Sequence, residues 1–103
     1  MRRLFNPILL ACLVPAAVWA GVDEGVDATE RGDFATALRE FRLAAEQGNA
    51  VAQYNLGIMY DNGEGVRQND AEALQWFRFA AEQGVANAQY NLGNRYANGE
   101  GAP

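Results

Sequence analysis

The side chains with the greatest potential for chemistry in this sequence are carboxylates. Glu46 and Glu82 recur at the same position of two similar segments, and a pair of carboxylates can perform general acid–base catalysis. The chain has no histidine, serine or lysine, and its single cysteine is Cys12, so a catalytic triad or a Schiff-base amine has no residues to form it. Both glutamates lie near the ends of predicted helices, where a solvated surface role is expected. We therefore predict no catalytic residue and no enzymatic activity.

The acidic, glycine-rich segment 61–65 has the composition of a calcium-binding loop. An EF-hand needs Asp or Asn at its third position and Gly at its sixth, but Gly63 and Val66 stand there. A dinucleotide-binding fingerprint fails as well, because Gln68 stands where it needs a glycine and no strand precedes the segment. We interpret the segment as a turn between helices and predict no metal and no cofactor.

The first twenty residues differ from the rest and are typical of a secretory signal peptide. Two arginines precede an apolar run over 8–19, and small residues stand three and one before Gly21. We predict a signal peptide over 1–20, cleaved after Ala20, and hence a periplasmic or secreted protein with no membrane span after signal removal. A membrane helix is the weaker alternative, because a span needs about 20 apolar residues and this shorter run contains Pro15.

Cys12 leaves a second cleavage site open. The sequence Leu-Leu-Ala-Cys over 9–12 resembles the bacterial lipoprotein box, in which the cysteine becomes an acylated N-terminus. The apolar run before the cysteine is short and continues past it, so a lipoprotein is the less favoured alternative.

Charge excludes two classes of partner. Residues 21–103 contain thirteen Asp and Glu against six Arg, a net charge of −7, and no basic run. Phosphate neutralisation needs clustered positive charge, so nucleic acid is not a predicted partner, and neither is an anionic membrane surface.

An internal repeat organises the remaining sequence. Segments 35–65 and 71–101 align without gaps at a spacing of 36 residues, and 22 of their 31 positions are identical. A period of about 20–50 residues is typical of stacked supersecondary units. Apolar residues recur at helical spacing, so each unit is predicted to form two helices. The predicted helices cover 22–31, 34–47, 50–61, 70–83 and 86–97.

Polar residues and glycines mark the helix ends. Asp33 is predicted to cap the second helix, and Asn69 or Asp70 the fourth. Gly48 is predicted to supply a left-handed residue after a helix.

Two glycines, Gly57 and Gly93, occupy the same repeat position inside predicted helices, where glycine costs about 1 kcal/mol relative to alanine. We expect a close approach of two helix backbones there, with a kink as the alternative.

The repeated motifs resemble those of the Sel-1-like repeat family. Residues 50–60 carry its A-x-A-Q-Y-x-L-G-x-x-Y pattern, residues 63–66 its G-x-G-V connection, and residues 73–84 its A-x-x-W-[YF]-x-x-A-A-x-x-G pattern. The resemblance implies an all-α fold, a right-handed α/α solenoid of tandem helix–turn–helix repeats similar to tetratricopeptide repeats. About two units plus a leading helix are expected. Some members of the family carry paired cysteines within each repeat. Their activities are not expected for this chain, because residues 21–103 contain no cysteine.

In the family's frame the signal peptide is followed by a leading helix and turn over 21–34 and by the repeat array over 35–103. A full repeat covers about 49–84, and a partial repeat covers 85–103. Because the last unit breaks off mid-motif, we expect either a longer array or a last helix face that a partner covers.

Differences between the two copies indicate a binding surface. Three differing pairs, 51/87, 58/94 and 61/97, and the shared tyrosine at 54/90 lie on one stripe of each unit's second helix. The resemblance implies that this stripe lines a concave groove for a protein or peptide, anchored by tyrosines and asparagine amides. Uncommitted solvent-facing surface is the alternative. The predicted partner-binding residues are Val51, Tyr54, Ile58, Asp61, Asn87, Tyr90, Asn94 and Asn98.

Together these features predict an exported protein–protein interaction scaffold. The alternative function is a peptidoglycan-associated binder or a regulator of cell-wall enzymes, which the single tryptophan of residues 21–103 weakly disfavours. That tryptophan, Trp76, is expected to pack on the preceding helix, with partner contact as the alternative.

Overall fold

The computed structural model describes residues 16–99, with side chains from residue 21 onward. These residues form five α-helices and contain no strand. The helices are α1 Ala16–Glu30, α2 Phe34–Glu46, α3 Ala50–Asn62, α4 Asp70–Glu82 and α5 Ala86–Ala97. The last four agree with the predicted helices to within one residue at each end.

Helix α1 differs from the sequence prediction at its start. It begins at Ala16, six residues before the predicted start at 22. Alanine has the highest helix propensity of all residues, and three alanines lie between 16 and 20. The bond after Ala20, the predicted cleavage site, therefore lies inside α1. Residues 1–15, which include Cys12, lie outside the described residues.

Side-chain caps start α2, α3 and α4, and the cap of α3 is Asn49, which accepts a hydrogen bond from the Ala52 N–H at 2.9 Å. Asp33 accepts a hydrogen bond from the Thr36 backbone N–H at 3.2 Å, and Asn69 accepts one from the Glu72 N–H at 3.1 Å. Hydrogen bonds from Thr36, first from its side chain and then from its backbone N–H, lower the pKa of Asp33 below its ordinary value of 3.8. The predicted caps are confirmed, with Asn69 chosen over Asp70.

Glycines with positive φ end the helices and shape the longest connection. Gly48 has φ +95°, which confirms its predicted left-handed conformation, and Gly63 at φ +71° caps α3. In the connection between α3 and α4, a Cβ atom built on Gly65 would lie 2.7 Å from the carbonyl oxygen of Phe34. Glycine is therefore favoured at position 65 for two reasons: its φ of +73° is left-handed, and the close backbone neighbour leaves no room for a Cβ atom.

Each helix packs mainly on its neighbours in sequence, from α1 against α2 through to α4 against α5. The core is rich in alanine, which lets helix axes come close together, and its large members are Phe41, Phe77 and Leu56. This is the predicted α/α solenoid. The buried apolar residues are Val22, Ala28, Ala37, Phe41, Ala44, Ala45, Ala52, Leu56, Met59, Ala73, Phe77, Ala80 and Ala88.

Two polar contacts recur between successive hairpins. The Tyr60 hydroxyl accepts a hydrogen bond from Arg42 Nη2 at 2.8 Å, and the Tyr96 hydroxyl accepts one from Arg78 Nη2 at 2.8 Å. Tyr60 is accordingly half-buried, whereas Ala52 and Leu56 are fully buried, as expected for the inward face of α3.

The buried Gln53 links α3 both to α2 and to the exposed Gln83 at the end of α4. Gln53 donates from Nε2 to the Ala45 carbonyl at 3.2 Å, and its Oε1 accepts from Gln83 Nε2 at 2.8 Å. Gln89 occupies the place of Gln53 in the next unit and donates to the Ala81 carbonyl at 3.0 Å, but it is exposed.

One glycine in α1 and one in α3 each lie against a phenylalanine ring of the next helix. A Cβ atom built on Gly25 would lie 2.7 Å from the nearest atom of the Phe41 ring, and one on Gly57 would lie 2.7 Å from the Phe77 ring. The expected close approach of two helix backbones is wrong at Gly57, because its close neighbour is the side-chain ring of Phe77. No described atom lies within 4 Å of a Cβ built on Gly93. We call the Gly25–Phe41 and Gly57–Phe77 contacts the glycine seats.

Candidate functional site

The predicted binding stripe has two parts with different exposure. On α3, Val51 is exposed, whereas Tyr54, Ile58 and Asp61 are half-buried. The other four predicted residues, three on α5 and Asn98 directly after it, are all exposed, and Tyr90 shows 72% of its surface. The α5 part of the stripe is therefore the part that is exposed among the described residues; it consists of Asn87, Tyr90, Asn94 and Asn98.

Tyr54 and Tyr90 hold equivalent positions in the repeat but have different surroundings. The Tyr54 ring lies 5.7 Å from the Phe77 ring, centroid to centroid, so it serves the contact between α3 and α4. Tyr90 lacks a comparable ring contact among the described residues. The structure thus places Tyr54 between helices and Tyr90 on the surface.

An ion pair connects the two parts of the stripe. Arg95 Nη2 on α5 lies 2.5 Å from Asp61 Oδ1 on α3, and the Arg95 guanidinium also lies over the Phe77 ring, 5.4 Å from its centroid. Both side chains are largely covered, at 14% exposed for Arg95 and 27% for Asp61. Asp61 is therefore already partnered, and this ion pair joins α3 to α5.

Sequence reasoning missed Arg95, although the alignment carries its signal. Arg95 stands where the preceding unit has Met59, which is 3% exposed. A charged residue at a repeat position that is buried in the other copy indicates a nearby side chain of opposite charge. The pair 61/97, which includes Asp61, also differs between the two copies.

A separate concave surface lies where α2, α3 and α4 meet. A cavity of about 350 Å³ opens between the end of α2, the start of α3 and α4, and Trp76 contributes to its lining. Trp76 also packs against the core and makes an edge-to-face contact with Phe79 at 5.5 Å. Trp76 therefore packs against the core, as expected, and also lines the cleft. Phe79, 39% exposed, was not singled out from the sequence.

The two carboxylates considered as a catalytic pair lie among the described residues. Glu46 and Glu82 are both exposed, which fits the solvated role expected of them. Within residues 16–99, no group of three or more His, Cys, Asp or Glu side chains lies close enough to hold a metal ion. In the same part of the chain, no helix combines the length and apolar character that crossing a membrane requires.

Comparison with known families identifies the repeat. The Sel1 repeat matches residues 14–49, 50–85 and 86–103. This chain belongs to the Sel1 repeat family. The first Sel1 repeat contains α1 and α2, the second contains α3 and α4, and α5 begins the third. Each glycine seat therefore lies within one repeat, between its first and second helices.

Two solved structures share the Sel1 fold. One is c5321, a protective antigen present in uropathogenic Escherichia coli strains that displays an SLR fold; it is 35% identical, with a TM-score of 0.77 over 84% of this chain and 19% of its own. The other is a Sel1 repeat protein from Oxalobacter formigenes, 30% identical with a TM-score of 0.73 over 95% of this chain and 43% of its own. This chain thus spans less than half the length of either protein. No curated protein matches it significantly.

Sel1 repeat proteins are generally scaffolds for protein–protein interaction and typically lack catalytic activity. In a member of this family, exposed surfaces are therefore better candidates for the functional site than reactive side chains. Two such surfaces are described above, the α5 part of the stripe and the cleft at Trp76.

Proposed function

We propose that this chain is an exported interaction scaffold that binds an extended peptide or protein segment in a groove along α3 and α5. The observation that carries the proposal is the exposed face of α5, where a tyrosine that is 72% exposed lies among three exposed asparagines. Large exposed aromatic residues are frequent anchors of protein interfaces because they bury much apolar area at a low cost in conformational entropy.

The chemistry of this face fits a peptide main chain. Each asparagine amide offers a carbonyl acceptor and an NH₂ donor, which match the N–H and C=O groups of an extended peptide. The nearest charged pair, Asp61 with Arg95, is already neutralised. Binding should therefore depend weakly on salt, because hydrogen bonds and apolar burial would dominate over charge attraction.

The proposal is tested by photo-crosslinking in the periplasm. A photoreactive residue in place of Asn94 should crosslink to a defined protein, which mass spectrometry identifies, and Tyr90→Ala should reduce the yield at least tenfold. The matched control is Leu43→Ala, since Leu43 is an apolar residue on α2 that is 56% exposed. Equal loss of yield in both variants, or pelleting of the purified protein with peptidoglycan in place of protein capture, would refute the groove.

Export is the second part of the proposal. The buried residues described in α1, namely Val22, Gly25 and Ala28, all follow Ala20. Cleavage after Ala20 would therefore shorten α1 but leave this packing face intact. Intact-mass measurement of the protein from a periplasmic fraction should give an N-terminus at Gly21; an acylated N-terminus at Cys12, or retention of Met1 in the cytoplasm, would contradict it.

A further inference from the structure

The cleft at Trp76 is a second concave surface, separate from the proposed groove. Its cavity of about 350 Å³ is lined by residues from the end of α2, the turn after it, α3 and α4, namely Ala45, Glu46, Gly48, Gln53, Trp76 and Phe79. None of them belongs to the predicted binding stripe. Ligand pockets measure about 300–1,000 Å³, so a cavity of this size suits one inserted side chain better than a whole helix.

The α4 side of the cleft is aromatic. Trp76 is half-buried and Phe79 is 39% exposed, and their rings meet edge to face with centroids 5.5 Å apart. The two rings therefore support each other while part of their surface stays accessible. The face of an aromatic ring attracts cations, and tryptophan attracts them most strongly.

The α2 side of the cleft contributes a negative charge. Glu46 is exposed and forms no ion pair with another described residue. Arg42, one turn before Glu46, donates to the Tyr60 hydroxyl instead, and Arg78 of α4 donates to the Tyr96 hydroxyl. No arginine is among the described lining residues, so a carboxylate and two aromatic rings border one cavity without a cation of this chain.

The remaining lining residues make the cleft both fixed and accessible. Gln53 is 6% exposed and is held by two hydrogen bonds, to the Ala45 carbonyl and from Gln83. No described atom lies within 4 Å of a Cβ built on Gly48, so the space beside this glycine is open. A preformed lining lowers the cost in conformational entropy of binding.

We propose that this cleft binds an arginine side chain of a partner protein, with the guanidinium against the aromatic rings and its N–H groups donating to the Glu46 carboxylate. Arginine suits both walls, because its planar guanidinium stacks on aromatic faces and its fork of donors matches a carboxylate. Long-range attraction favours a basic partner as well, since residues 21–103 carry a net charge of −7. This site is additional to the proposed groove and does not depend on it.

Trp76 itself can report on the site. The full chain with Trp19→Phe retains Trp76 as its single tryptophan, so its NMR spectrum contains one indole N–H signal. The blocked tripeptide Gly-Arg-Gly, added up to about 10 mM, should shift this signal in a saturable way. The tripeptide with citrulline, which keeps the shape of arginine without its charge, should bind at least fivefold more weakly. Gly-Lys-Gly should bind at least twofold more weakly, because an ammonium group cannot stack as a guanidinium does.

Two variants in this background separate the cleft from the charge of the whole chain. Glu46→Gln removes the carboxylate of the cleft and should weaken binding of Gly-Arg-Gly at least fivefold. Glu82→Gln is the matched control, because Glu82 holds the same repeat position, is exposed and does not line the cavity; it should change binding less than twofold. Binding should weaken as salt is raised, in contrast to capture by the groove.

Three results would overturn the site: no shift of the Trp76 signal with Gly-Arg-Gly at about 10 mM; binding of the citrulline or lysine peptide as tight as that of the arginine peptide; or equal losses in Glu46→Gln and Glu82→Gln. Tyr90→Ala, which tests the groove, should leave tripeptide binding unchanged, so the cleft and the groove can fail separately.

Discussion

Replacing Gly57 with alanine should destabilise the protein, although the same change in an exposed helix would stabilise it. The new Cβ atom would stand 2.7 Å from the Phe77 ring, and relaxed carbon–carbon contacts need about 3.5–4.0 Å, so the ring must move by about 1 Å. Phe77 is completely buried and lies against Tyr54 and Arg95, so its movement disturbs both contacts.

The magnitude follows from two opposing effects. Overpacking a well-filled core costs about 1–3 kcal/mol. Alanine in place of glycine returns about 1 kcal/mol of helix propensity, so the net loss in the free energy of unfolding for Gly57→Ala is up to about 2 kcal/mol. At Gly93 only the second effect applies, because no described atom is near, and Gly93→Ala should gain about 1 kcal/mol.

The two variants are best measured side by side. Urea unfolding followed by circular dichroism at about 222 nm should separate them by about 1–3 kcal/mol, because the propensity effect cancels in the difference. In thermal unfolding each kcal/mol corresponds to roughly 4–8 °C in Tm for a domain of this size. Equal shifts for Gly57→Ala and Gly93→Ala would show that the Phe77 ring moves aside at no cost in the free energy of unfolding. The Gly57–Phe77 contact would then not exclude a Cβ atom.

Three further predictions concern polar contacts. Gln53→Ala should lower the free energy of unfolding by about 0.5–1.5 kcal/mol by removing a buried hydrogen bond to the Ala45 carbonyl, which keeps its bond from the Gly48 N–H, whereas exposed Gln89→Ala should cost well under half as much in the same urea assay. A double-mutant cycle with Asp61→Asn and Arg95→Met should give a coupling energy of about 1 kcal/mol that shrinks at high salt; a value near zero would show that the ion pair adds nothing. Because the pKa of Asp33 is lowered on folding, its contribution to stability is present above the unfolded pKa and is lost as pH falls through the folded pKa. Asp33→Ala should therefore lower Tm at neutral pH but not at pH values below the folded pKa, and a Tm loss independent of pH would contradict the cap.

The helices could be predicted from sequence because their signals are local. Apolar spacing, polar caps and glycines lie within one or two turns of the element that they define, and α2 to α5 agree with prediction to within one residue. The start of α1 could not be predicted in this way. Residues 16–20 are apolar and include three alanines, a composition that suits both the end of a signal peptide and a helix. The local sequence pattern does not distinguish between these two structures.

The candidate site was less predictable, because the role of a side chain depends on the helix opposite it. Tyr54 and Tyr90 lie in identical hexapeptides, yet one contacts Phe77 and the other is exposed. The difference arises from the helix packed against each tyrosine, because α4 covers Tyr54 and no described helix covers Tyr90 in the same way. The Asp61–Arg95 pair likewise joins residues far apart in sequence, and only the folded arrangement of α3 beside α5 reveals it.

The bonds from Arg42 to Tyr60 and from Arg78 to Tyr96 each join residues 18 apart, and the second bond repeats the first 36 residues later. A duplication or deletion of 36 codons would therefore restore the same donor beside the same acceptor at the new junction, wherever in the repeat the changed segment begins. Such proteins can lengthen or shorten in whole-repeat steps during evolution without first acquiring compensating substitutions between hairpins.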